Sequence, residues 1–173
     1  MLRWDEVRRL IVVHAAPAVQ PLGFLAPGRT MRRLRKDFVD VIDFRCGKWG
    51  DRAQVSFGCG LRKFVKENPK PWDCTFYVQP HEVWPSALLE FKRSPEEQVA
   101  ALEAFAPLFA AEAERWFALL PDLRTARIAA DRNTWSGPSS VAGFNVPSPA
   151  HEDAVKKLES ALADEEAGGP AAA

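Results

Sequence analysis

The spacing between apolar positions switches along this chain from helical to alternating and back to helical, which orders its elements before any chemistry is considered. Val7, Leu10, Ile11, His14 and Ala18 share one helical face, with Arg3, Arg8 and Arg9 outside it, and this predicts a first helix over Trp4 to Ala18. Pro17 weakens its final turn, and Pro21-Leu22-Gly23 ends it. Phe24-Leu25 is expected to begin a strand, followed by a Pro27-Gly28 turn and a strand from Thr30 to Lys36. Phe38 to Cys46 is β-branched, aromatic and short, hence a strand. It carries apolar residues in both phases: Phe38, Ile42 and Phe44 in one, Val39 and Val41 in the other with Asp43. Either both faces are covered or a bulge intervenes. Ala53, Val55, Phe57, Cys59 and Leu61 then alternate with Gln54, Ser56, Gly58, Gly60 and Arg62, which predicts a strand with one wet face. Lys63 to Trp72 reads as a polar loop, and Cys74, Phe76 and Val78 as a further strand stopped by Pro80.

Helical spacing returns at Ser94-Pro95-Glu96-Glu97. Ser94 can cap, Pro95 suits the first helical position and Glu97 completes a capping box. Val99, Leu102, Ala106, Phe109, Ala113, Trp116 and Leu120 continue as one stripe, so Pro107 is expected to kink the helix rather than end it. Leu123 to Asp131 fits either a short helix or an edge element. Residues 133–149 are rich in Gly, Pro and Ser and read as a loop carrying Trp135 and Phe144. Ser148-Pro149 opens a last helix with Val155, Leu158 and Leu162 on one face. Sequential strands between helices predict an α+β fold: an antiparallel β-meander of about five strands, with the N-terminal helix and the C-terminal helices packed on one face. A single domain over 1–166 with a flexible tail at 167–173 is expected.

Composition narrows the function classes. The 173 residues suit one domain, and no apolar run approaches the length of a membrane span, so no membrane partner is expected and a cytoplasmic location is. Asp5 and Glu6 argue against a signal peptide. Cys46, Cys59 and Cys74 are odd in number and lack a CxxC pair, which excludes a zinc ribbon or a thioredoxin-like site and suggests reduced, buried thiols. Net charge is zero, yet residues 1–70 carry 15 Lys+Arg against 7 Asp+Glu and the rest carries the compensating acid. Such asymmetry fits an anionic partner for the first half, or acidic helices lying against a basic sheet.

Pro21-Leu22-Gly23-Phe24, Gly28-Arg29-Thr30 and the strand ending Phe44-Arg45-Cys46-Gly47-Lys48-Trp49 resemble the bacterial family catalogued as domain of unknown function 4304. The likeness covers about residues 1–80. It departs at Met31, where an aromatic residue is usual, and at Asp43 and Arg45, where amides are common. The resemblance implies a fold and supplies no catalytic residues.

The candidate working surface is the basic run Arg29, Arg32, Arg33, Arg35 and Lys36, extended by Arg45, Lys48 and Trp49. In extended chain Arg33 and Arg35 point one way and Arg32 and Lys36 the other, and Lys63, Lys66 and Lys70 lie near if the strands pair in order. Such a surface suits a polyanion or an acidic protein face. The competing account is an edge strand made soluble by its charges. Trp49, Trp72, Tyr77 and Trp84 can stack bases or anchor a protein interface, or cover a sheet edge. His81-Glu82 is the one pair resembling acid–base equipment, and Cys74 with His81 a remote thiolate pair. No P-loop, dinucleotide fingerprint, nucleophile elbow or HExxH motif is present, so no cofactor, metal or catalytic residue is assigned. The reading is a macromolecule-binding module, with a protein preferred to nucleic acid as partner and an inhibitor or immunity-type role as one class. Nucleic-acid binding comes second, and a hydrolase or small-ligand domain third.

Overall fold

The computed structural model describes residues 1–25, 28–78, 85–132 and 148–167. Helix α1 spans Trp4–His14, four residues short of the expected end. The backbone then tightens into a 3-10 helix over Ala16–Leu22 rather than continuing. Pro17 and Pro21 cannot donate the backbone bonds an α-helix needs there. Gly23 closes the element at φ 87°, a left-handed conformation that only glycine takes without strain.

Four antiparallel strands follow in the order β1-β2-β3-β4: β1 Thr30–Leu34, β2 Phe38–Cys46, β3 Ala53–Leu61 and β4 Phe76–Val78. The α+β meander is thus observed, with one strand fewer than expected. Leu25 makes only an isolated bridge to Arg32, so Phe24-Leu25 is not a strand of its own. Register runs Met31↔Ile42 and Arg33↔Asp40 between β1 and β2, and without a bulge from Phe38↔Leu61 to Cys46↔Ala53 between β2 and β3. Of the two explanations for the doubly apolar β2, coverage of both faces is therefore the one found.

The inner face carries Met31, Phe38, Ile42, Phe44, Val55, Phe57, Phe76 and Val78, all buried. Across it lies α2, Pro95–Ala118, unbroken through the exposed Pro107 and started by the Ser94–Glu97 capping box. Its stripe meets the sheet ring on ring: Phe44 to Phe109 at 5.2 Å and Phe57 to Phe117 at 5.6 Å. Helix α1 packs on α2. The ambiguous stretch is a helix, α3 over Leu123–Arg132, paired with α4 over Ser148–Ala167. The acidic end of α4 reaches back to the basic strands through Lys36–Glu165 at 2.5 Å and Lys63–Asp164. Part of the charge asymmetry is therefore neutralised within the fold.

The outer face is not the wet surface that strict alternation in β3 predicts. Ser56, Gly58 and Gly60 are buried, and Val39 and Val41 opposite them form an apolar strip apart from the main core. The segment from Arg62 to Thr75 folds across this face as a strap, with a short 3-10 turn at Pro71–Asp73. Gly58 permits it: a Cβ there would stand 2.5 Å from the Pro71 Cα and 2.9 Å from the Cys74 Sγ. Alternation identified which residues share a face, while the identity of the polar phase, small and glycine-rich, decided that backbone could lie upon it.

Candidate functional site

The basic run divides between the two faces of the sheet because strand side chains alternate. Arg33 and Arg35 point inward, toward the helices. They flank Asp40, a fully buried carboxylate in the core phase of β2. Arg33 donates to Asp40 Oδ2 from Nε at 2.8 Å and from Nη2 at 2.7 Å, while Arg35 Nη2 donates to Oδ1 at 2.8 Å. The second positive charge is met by backbone: Arg33 Nη1 donates to the Leu22 carbonyl at 2.9 Å and Arg35 Nη1 to the Leu120 carbonyl. The Leu22 carbonyl closes the 3-10 helix, where unpaired C=O groups carry partial negative charge, and that of Leu120 lies two residues past the end of α2. The guanidiniums also stack on rings, Arg33 between Phe24 and Phe117 at 5.0 and 5.2 Å and Arg35 over Phe38 at 4.8 Å. Burial opposes the charge of Arg35, but the hydrogen bond and the field of Asp40 prevail and hold its pKa above the ordinary value. Burial, then Asp40, push the adjacent Cys59 thiol well up, so it stays protonated and unreactive.

Arg29, Arg32 and Arg45 belong to the outer side. There Asp43, also fully buried, accepts from the Thr30 hydroxyl at 2.5 Å through Oδ1. Lys70, arriving on the strap, donates to Thr30 Oγ1 at 2.5 Å and lies 3.4 Å from the same carboxylate oxygen. Arg29 Nε stands 3.7 Å from it. Among the described residues Oδ2 has no hydrogen-bond partner. Arg32 grips the strap by its backbone, donating to the Pro69 carbonyl from Nε at 3.1 Å and Nη2 at 3.0 Å. Lys66 pairs with Asp73 at 2.9 Å and draws that carboxyl below its usual range. Cys74, under the strap, is raised to about 12 by burial and then by Asp73.

Beyond these contacts the outer side opens into an aromatic and cationic surface. Arg45 donates to the Tyr77 hydroxyl at 2.9 Å and lies 5.2 Å from the centre of the Trp72 ring, which is itself 46% exposed. At the β2–β3 hairpin tip, Lys48 sits over Trp49 at 5.1 Å, and Trp49 is the most exposed of the large apolar side chains among the described residues, at 78%. Of the expected site residues, Arg45 is thus joined to Trp72 and Tyr77 and Lys48 to Trp49. Arg33 and Arg35 are drawn into the interior, and Lys36 is turned toward α4. Trp84, His81 and Glu82 lie outside the described residues.

The acidic partners were the residues that sequence reasoning passed over. Their signal is present in principle: Asp40 interrupts the apolar phase Phe38, Ile42, Phe44, and a carboxylate at a core position needs a cation close by. Thr30, Asp43 and Lys70 form one hydrogen-bonded trio, in which the Thr30 hydroxyl donates to the carboxylate and accepts from the lysine ammonium. The trio latches the strap to the sheet. No group of three or more His, Cys, Asp and Glu side chains suited to a metal occurs among the described residues, and no helix there is long and apolar enough to cross a membrane. No protein-family model, curated protein or solved structure matches this chain.

Proposed function

We propose that this protein is a macromolecule-binding module whose contact surface is the outer aromatic and cationic side of the sheet, centred on Arg45, Trp72, Lys48 and Trp49, and that its partner is a protein. The observation that carries this reading is the exposure of Trp72, on the side of the sheet away from α1 and α2, and of Trp49 at the β2–β3 hairpin tip, each with a cation over its ring. Truncating a solvent-exposed Trp costs a lone domain little, whereas Trp, Tyr and Arg dominate the energetics of protein interfaces. An inhibitor or immunity-type module, of the kind the resemblance to the domain of unknown function 4304 family leaves open, suits a rigid domain with a charged face. Photo-cross-linking tests the reading. With benzoylphenylalanine in place of Trp49 or Trp72, the native cell should yield a discrete protein adduct, absent when the probe replaces the exposed Val13 of α1. Equal labelling at all three positions rejects it.

Nucleic-acid binding is the second reading, favoured by the same rings beside the same cations. A mobility shift of mixed-sequence single-stranded RNA or DNA that falls steeply with salt and is lost in Trp72→Ala would replace the first reading with this one.

A further inference from the structure

We infer that the segment docking on this outer surface is acidic and presents carboxylates to Arg29, Arg45 and Lys70; the inference rests on the binding reading above and specifies its partner. On the inner face two arginines meet one carboxylate and also donate to the Leu22 and Leu120 carbonyls, so a single positive charge is left over. On the outer face Arg29, Arg32, Arg45, Lys66 and Lys70 meet two carboxylates, Asp43 and Asp73. Arg32 has the Pro69 carbonyl and Arg45 has two hydroxyls, neutral acceptors that leave the positive charge uncancelled. Among the described residues three positive charges therefore remain in excess at a partly exposed surface, and an acidic partner would complement them.

A protein carboxylate fits this surface better than a phosphate backbone. The cations are short of reach, because Arg45 is tied to Tyr77 and Lys70 to Thr30. They offer fixed, spaced donors next to the Trp72 ring, which suits a few carboxylates flanking an apolar anchor. A flexible fringe able to follow a repeating backbone is not what this geometry provides.

The test uses the whole chain and a fluorescein-labelled peptide of Glu and Tyr, with a Gln and Tyr peptide of equal length and a single-stranded oligonucleotide as comparisons. Anisotropy should show binding of the Glu peptide at least about tenfold tighter than the Gln peptide, weakening as salt rises. Trp72→Ala should cost about tenfold or more, and the exposed Arg29→Gln and Lys48→Gln about twofold to fivefold each. Thermal melts of the same variants separate lost binding from lost folding. Equal binding of the Glu and Gln peptides overturns the acidic partner, as does preferential binding of the oligonucleotide. If cross-linking at Trp49 and Trp72 still yields its adduct, the binding reading survives that failure; if it does not, both fall.

Discussion

Two buried aspartates three residues apart on one strand are handled in opposite ways. Asp40 lies in the core phase of β2 and is enclosed by Arg33 and Arg35, which are themselves held by two backbone carbonyls and three aromatic rings. Asp43 lies in the other phase, is reached by Thr30, Lys70 and Arg29, and among the described residues keeps one oxygen without a hydrogen-bond partner. The first cluster ties the sheet to the helices and is finished. The second ties the sheet to a strap and leaves positive charge facing outward. A charged run in sequence is therefore neither a surface nor a core feature as such; the pleat assigns each member to one or the other.

The contrast predicts its own largest effect. Asp40→Ala leaves two largely but not fully buried guanidiniums without their anion and should cost about 3 kcal/mol of stability in chemical denaturation. Asp43→Ala should cost about 1–3 kcal/mol, since its cationic partners keep access to water. Equal losses would mean that the two sites are equivalent, against the geometry described here.

Gly58→Ala probes the strap itself. Its Cβ would stand 2.5 Å from the Pro71 Cα, a backbone atom that cannot swing aside, so the strap must lift. The expected loss is about 1–3 kcal/mol, with faster alkylation of Cys74 as the strap opens. Unchanged Cys74 reactivity would show that the strap yields elsewhere.

The smallest effect concerns Glu112, a half-paired carboxyl on α2. Burial raises its pKa above the ordinary 4.5, against the pull of Arg115. A carboxyl with a raised folded-state pKa stabilises the fold below its unfolded value, and that contribution is lost as pH rises through the folded value. Glu112→Gln should therefore raise the melting temperature slightly at pH 7 relative to wild type, with the gap closing as pH falls below about 4.5. A gap that widens in acid contradicts the assigned direction.

Much of the architecture was legible in local pattern. The capping box at Ser94, the stripe through Pro107, the turn at Gly23 and the doubly apolar β2 each have a short-range physical cause, and each has its counterpart in the fold. The opposite facing of Arg32 against Arg33 and Arg35 was legible too, since the pleat follows from chain extension alone. The destination of each arginine was not. Arg33 ends on Leu22 and Asp40, and Arg35 on Leu120, 85 residues away. Nothing local in Arg29-Thr30-Met31-Arg32-Arg33-Leu34-Arg35-Lys36 specifies such partners. The wet face expected of β3 failed for the same reason: alternation reports what leaves the main core, and the loop that returns to cover it is a long-range event.

The sequence by itself determined the order of the elements, the faces of the strands and the concentration of positive charge around the first hairpin, because these depend on periods of 2 and 3.6 residues and on turn chemistry. Tertiary structure decided which of those charges are spent internally and which remain outward. Neutralisation acts over a few ångströms in space, and groups that close in space come from β1, the strap, and the ends of helices far apart along the chain.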